Sequence, residues 1–217
     1  MIRLPLGRSR RTQADEEFQA KGESVKLPKA KFSSQTSVEE ALLSRRSIRA
    51  YRKDFLTIEQ ISQLLWAAQG TTEKWGGRTA PSAGALYPLE IYLLAGEIEG
   101  LEPGLYHYRP ADHSISQIQV RDLRSEITEA SLGQDQILKA PATLIIAAIY
   151  ERTTRKYGER GVRYVHQEVG SVCQNVHLQA ESLSLGTVWI GAFDDQDVKE
   201  ALGISEEPLA IMPVGKK

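Results

Sequence analysis

One cysteine, Cys173, among 217 residues cannot form an internal disulfide or build a four-cysteine zinc site. A cytoplasmic protein is therefore expected. Long apolar runs are missing: the longest, Ala142 to Tyr150, is strand-sized and far below the roughly 20 residues that span a bilayer. The first residues, MIRLPLGRSRRTQADEEF, contain arginines but no apolar stretch of signal-peptide length, so secretion is not expected. Charge of one sign is not in excess either. Lys plus Arg is 27 and Asp plus Glu is 28, a net charge of -1, which argues against nucleic acid or an anionic membrane as partner. No Gly-x-Gly-x-x-Gly, P-loop, Gly-x-Ser-x-Gly or His-Glu-x-x-His occurs, which removes the sequence warrant for four large enzyme classes. His107, His113, His166 and His177 have no metal-ligand spacing, so no metal site is expected.

What is present is an average globular composition, 41% hydrophobic and 25% charged, in a chain that suits one domain with an appendage. From Met1 to Lys31 there are eight basic and four acidic residues, with no sustained period. Residues 1–36 are read as a basic, flexible arm and residues 37–217 as the domain.

Ser37 with Glu40, and Thr57 with Gln60, are capping boxes that open two helices; Ile58, Ile61, Leu64, Leu65 and Ala68 line one face of the second, and Gly70 ends it. Leu89 to Ala95 reads as a strand, and residues 105–108 and 115–120 as a hairpin. A helix over about 122–132 precedes Ala142 to Ala148, whose unbroken apolar run marks a strand covered on both faces. Val162, Val165, Val169, Val172, Cys173, Val176 and Ala180 place a long helix over about 161–185. A strand near 187–190, a helix capped by Asp194 or Asp195, and a strand over 209–214 complete an α+β pattern with a mixed central sheet.

Two segments could carry chemistry. Ser44 to Arg52 holds four arginines and two serines where a short helix ends, which suits a phosphate, or equally a solvated basic turn. Ala80 to Pro88 is rich in small residues and proline, which lets backbone amides approach a flat ligand, though an ordinary loop reads the same way.

Arg45-Arg46-Ser47-Ile48-Arg49, Ala80 to Pro88, Lys156-Tyr157-Gly158 through Gln174-Asn175, Leu185 to Asp195, and Pro213-Val214-Gly215-Lys216 occur in one order. In that order they resemble the nitroreductase family of flavoproteins, and within it the SagB-type branch that includes azoline dehydrogenases of modified-peptide pathways. The resemblance covers the chain from Ser37 onward. It implies an FMN-dependent oxidoreductase with a nitroreductase-like fold, a homodimer with flavin at the subunit interface. By the same resemblance Arg45, Arg46 and Ser47, with Arg49, hold the phosphate and ribityl chain. Pro81, Ser82, Ala83 and Gly84 line the flavin ring, and Gln134 hydrogen-bonds it. Ile190, Gly191 and Ala192 bring a backbone amide to N5, and Lys216 or Lys217 completes the phosphate site. Lys156 and Tyr157 match a pair implicated in taking a proton from a peptidic heterocycle. Read from the residues alone, Glu151 to Lys156 is equally an exposed charged loop. The chain stops two residues after Gly215, whereas many relatives continue into an arm that wraps the partner subunit. Two other activities stay open: an NAD(P)H-dependent nitro or quinone reductase, and a noncatalytic flavin-binding protein.

Overall fold

The computed structural model describes residues 24–217. Both capping boxes form. The Ser37 side chain accepts from the Glu40 N–H while the Glu40 carboxylate accepts from the Ser37 N–H, starting α1 (Val38–Ser44); Thr57 and Gln60 do the same for α2 (Ile58–Gln69), which Gly70 caps. Each box satisfies donors that a helix start would leave unpaired.

Among the described residues there are seven strands, in chain order β1 (Ser24–Lys26), β2 (Leu89–Ala95), β3 (Gly104–Arg109), β4 (Ser114–Gln119), β5 (Ala142–Ala148), β6 (Leu185–Thr187) and β7 (Glu207–Lys216). They form one sheet in the order β1-β4-β3-β2-β5-β7-β6. The α+β class stands, but every named strand pair is antiparallel, and parallel pairing is confined to the isolated bridges Ser47–Thr187 and Leu56–Ile98. The expected mixed sheet is thus corrected to an antiparallel one. Helices do separate the strands in sequence, yet each returning strand enters beside its neighbour in the opposite sense.

The sheet separates two apolar layers, which is why β5 is buried at all seven positions. Leu144 and Ile146 face one layer with α2 and α6 (Arg160–Ser182); Ile145 and Ala147 face the other with α3 (Arg124–Ala130), α4 (Gln136–Lys139) and α7 (Asp195–Leu202). Alternation along a strand sends successive side chains to opposite faces, so a two-sided strand reads as continuous hydrophobicity. α6 has 23 residues, about 34 Å at 1.5 Å per residue, and buries Val165, Val169, Val172, Cys173, Val176 and Ala180 along one stripe. No helix among the described residues is long and apolar enough to cross a membrane.

Two boundaries move. The arm expected over residues 1–36 is shorter at its end nearest the domain: β1 pairs with β4, Leu27 is buried, Ser62 Oγ donates to the Pro28 carbonyl at 2.6 Å, and the Gln63 side chain exchanges hydrogen bonds with both backbone groups of Lys31. Backbone pairing and single-residue anchors hold this segment, and neither leaves a periodic trace in sequence. The rest of the arm, residues 1–23, lies outside the described residues. The charged loop read over 151–156 is α5 (Glu151–Tyr157), a helix with only Thr153 buried; lacking an apolar stripe, it has no hydrophobic period to detect.

Candidate functional site

The basic segment Arg45–Arg52 leaves α1 and lies along the β6–β7 edge. Ile48 N–H donates to the Thr187 carbonyl at 2.9 Å, and Arg52 N–H donates to the Lys216 carbonyl at 2.9 Å. The Tyr51 hydroxyl hydrogen-bonds to the carbonyls of Ile48 and Pro213 at 2.9 and 3.1 Å. Two glycines permit this approach: a Cβ on Gly186 would lie 2.7 Å from Ile48, and one on Gly215 2.7 Å from the Tyr51 ring. The docked segment also covers the β6 edge.

Arg45, Arg46 and Arg49 have no carboxylate partner among the described residues, so their positive charge is uncompensated. Arg46 Nη1 donates to the carbonyls of Leu43 and Arg45, which fixes its guanidinium beside the turn. Lys217 does not join them: its ammonium pairs with Glu181 of α6 at 2.6 Å. Burial, then the Arg45 charge, lowers His177 to about 4, so this half-turn of α6 stays neutral beside the arginines.

The second group is the loop from Pro81 to Tyr87. It is tightly coiled: Gly84, Ala85 and Tyr87 have φ of 65°, 53° and 46°. A non-glycine residue in this region costs of the order of 1 kcal/mol or more, so the surroundings must hold it. They do so through Glu168 of α6, 4% exposed. The Ser82 hydroxyl accepts the Tyr87 N–H at 2.9 Å and hydrogen-bonds to Glu168, which also accepts from Gln69 Nε2 at 3.1 Å. Gln69 Oε1 accepts from Arg78 at 3.2 Å, and the Arg78 guanidinium lies 4.5 Å from the centre of the Tyr87 ring. Burial raises the Glu168 carboxyl above its ordinary range, against the hydrogen bonds and the Arg78 charge.

Lys156 and Tyr157, at the end of α5, close over this loop. A Cβ on Gly84 would lie 2.8 Å from Tyr157 Oη and 2.9 Å from Lys156 Nζ, so a side chain there would displace them from these positions. Lys156 Nζ is 5.3 Å from the Tyr157 ring centre, and Tyr164 of α6 meets that ring edge-on at 5.1 Å.

The third group joins Gln134 to the segment after β6. Gln134 Nε2 donates to the Ala192 carbonyl at 2.8 Å and to the Ser131 carbonyl at 3.0 Å, so its amide N–H groups are engaged within the chain. Ile190 is tied into the sheet by paired hydrogen bonds with Ile211. Gly191 and Ala192 are exposed, neither N–H has a partner among the described residues, and a Cβ on Gly191 would meet nothing within 4 Å.

The donor set fits a phosphorylated flat ligand: free cationic forks at Arg45 and Arg49, a glycine-relieved loop at Gly84, and unengaged amides at Gly191 and Ala192. The structure therefore brings together Gly84 with Lys156 and Tyr157, Gln134 with Ala192, and the arginine segment with Lys216. It engages Lys217 elsewhere. α6 underlies the first and third of these pairings' neighbours, reaching Ser82 through Glu168 and the Arg45 charge through His177. Sequence reasoning missed Glu168, Arg78, Arg152 and Glu90. Glu168 had a readable signal, since it falls three residues after Val165 and four before Val172, on the stripe that is otherwise apolar.

Residues 42–216 match the family model described as the nitroreductase family. A Methanocaldococcus jannaschii protein provisionally named a nitroreductase is 52% identical over 180 residues, 83% of this chain and 91% of that protein. The microcin B17-processing protein McbC of Escherichia coli is 31% identical over 73% of this chain, which spans 60% of its length. The E. coli microcin synthetase McbBCD complex, solved with truncated pro-microcin bound, superposes with a TM-score of 0.69 at 26% identity, over 98% of this chain and 84% of that one. A Desulfovibrio desulfuricans structure in complex with FMN, provisionally called a nitroreductase, has the same fold at a TM-score of 0.61 and 20% identity, covering 84% and 87% of the two chains. With the family model spanning 42–216 and the M. jannaschii relative matched over 91% of its length, this chain belongs to the nitroreductase family of oxidoreductases.

Proposed function

We propose that the protein is an FMN-dependent dehydrogenase of the SagB type, acting on a small or peptidic substrate. The observation that carries this is the position of Lys156 Nζ and Tyr157 Oη over Gly84, within a loop of small residues. Arg45, Arg46, Ser47 and Arg49, with Lys216, hold the phosphate and ribityl chain; Pro81 to Gly84 line the ring, and the Gly191 and Ala192 amides meet its edge. Gln134 acts indirectly, by fixing the Ala192 carbonyl and so the direction of those amides. Bound FMN supplies the two-electron acceptor. The chain supplies the proton chemistry: Lys156 takes the proton released from the substrate carbon, and the Tyr157 hydroxyl steadies the ammonium so formed. Likeness to the microcin-processing protein supports a peptidic substrate.

The protein acts as a homodimer in this reading. Phe32, Val38, Leu42 and Leu43 are exposed, and a groove of about 790 Å³ lies between α1, α2 and α6. Such a surface is what a second subunit covers.

A second reading, an NAD(P)H-dependent nitro or quinone reductase, is favoured by the name of the M. jannaschii relative. One experiment separates the two. Purified protein is expected to carry FMN, and anaerobic addition of a thiazoline-bearing peptide is expected to bleach it, with Lys156→Ala abolishing the bleaching. Rapid bleaching by NADPH, unaffected by Lys156→Ala, favours the reductase. A protein that binds no added FMN overturns both.

A further inference from the structure

α5 is short and buries only Thr153, and its backbone lies close against α6, where a Cβ on Gly161 would come within 2.9 Å of Thr154; it carries Lys156 and Tyr157 to a defined place. Its anchor is Arg152, one helical turn before Lys156. Arg152 Nη1 forms an ion pair with Glu90 Oε1 at 2.5 Å and donates to the Tyr87 carbonyl at 3.1 Å. Glu90, on β2, is committed on both oxygens, since Oε2 meets His107 Nε2 at 2.7 Å. Burial alone would raise the Glu90 carboxyl, but His107 and Arg152 outweigh it and hold it below its ordinary value. The His107 ring stacks on Tyr92 at 5.0 Å, so the chain of contacts ends in a fully buried side chain of the sheet.

One guanidinium thus touches three elements at once: the helix it belongs to, the rigid sheet, and the loop at Tyr87, whose φ of 46° needs an external restraint. Thr153 is the other inward residue of α5, and it contributes little apolar area. The Ile149 N–H, just before α5, donates to the Pro88 carbonyl at 2.8 Å, and within α5 it is the Arg152 side chain that hydrogen-bonds to the loop at Tyr87.

We propose that Arg152, held by Glu90, is a positioning residue that sets Lys156 and Tyr157 against the Gly84 loop. Its importance for turnover rests on the reading of Lys156 and Tyr157 given above; its geometric claim does not. A lysine cannot replace it fully: both contacts are made by Nη1, at the far end of a rigid planar group, and a shorter, flexible stem with a more strongly hydrated ammonium does not hold a donor at that point as well.

The test uses proximity. In full-length protein carrying Ala85→Cys, a short amine–thiol cross-linker is expected to join residue 85 to Lys156, read by mass spectrometry. Cys173 is buried, with burial pushing its thiol up to about 12, and gives no background. Arg152→Ala is expected to lower the cross-link yield about threefold or more, through local opening of α5. Arg152→Lys should fall between, and Arg155→Ala, which removes an exposed charge from the same helix, should leave the yield unchanged. Where Arg152→Ala fails to fold, Arg152→Lys decides. An unchanged yield in a folded Arg152 variant, or an equal loss in Arg155→Ala, overturns the proposal. The measurement needs neither flavin nor substrate, so a protein in which Lys156→Ala turns over normally would sink the catalytic reading and leave this one standing.

Discussion

Arg52 and Lys216, 164 positions apart, are joined by a backbone hydrogen bond of 2.9 Å. It places the arginine segment beside Lys216. The contact is sterically exacting, because Gly186 and Gly215 face Ile48 and Tyr51 with no space for a Cβ. Gly215→Ala and Gly186→Ala are each expected to cost about 1–3 kcal/mol, the usual range for overpacking a tight contact. Urea unfolding should show a lower midpoint with an unchanged slope.

Gly84→Ala combines a φ of 65° with a Cβ 2.8 Å from Tyr157 Oη. The lysine tail can swing away, but the tyrosine is braced by Tyr164. The variant is expected to lose about 1 kcal/mol of stability from the backbone alone. Turnover should fall much further than stability, measured as kcat with FMN content held constant. Wild-type kcat in a folded, flavin-loaded Gly84→Ala protein would contradict the placement of Tyr157 in the site.

His177 gives a pH dependence of defined sign. Its folded value, about 4, is below the ordinary 6.5, so the unfolded chain takes up the proton first. The neutral ring's contribution is complete above pH 6.5 and is lost as the pH falls from 6.5 toward 4. His177→Gln should flatten the stability profile in that window. Because Arg45 is the second cause of the shift, an anion bound at Arg45 is expected to move the His177 titration upward, which NMR with added inorganic phosphate can follow.

Glu168 acts in the opposite direction. Its folded value is raised by burial above the ordinary 4.5, so the native state holds the proton longer and stability declines as the pH rises through the interval above 4.5. Glu168→Gln keeps an acceptor for Ser82 and is expected to remove that decline in thermal melts between acid and neutral pH. A profile identical to wild type would remove Glu168 from the account of the Ser82 loop.

Much of the architecture was legible because it rests on local signals. The two capping boxes, the stripe of α6 and the unbroken run of β5 are each written in adjacent residues, and all three formed. α5 and β1 were not legible: one has no apolar face, and the other is three residues held by a partner strand. The family motifs pointed to Gly84, Lys156 and Tyr157 separately, and could not say that the three touch.

By itself the sequence determined the α+β class, the helix starts, the two-sided strand and the order of motifs, because capping and periodicity act over a few residues. Tertiary structure alone decided that the sheet is antiparallel, that Lys217 is spent on Glu181, and that Arg152 and Glu90 anchor the helix bearing Lys156. Those outcomes depend on which distant groups meet when two apolar layers close on one sheet. A buried charge must find its partner there, wherever in the chain that partner lies.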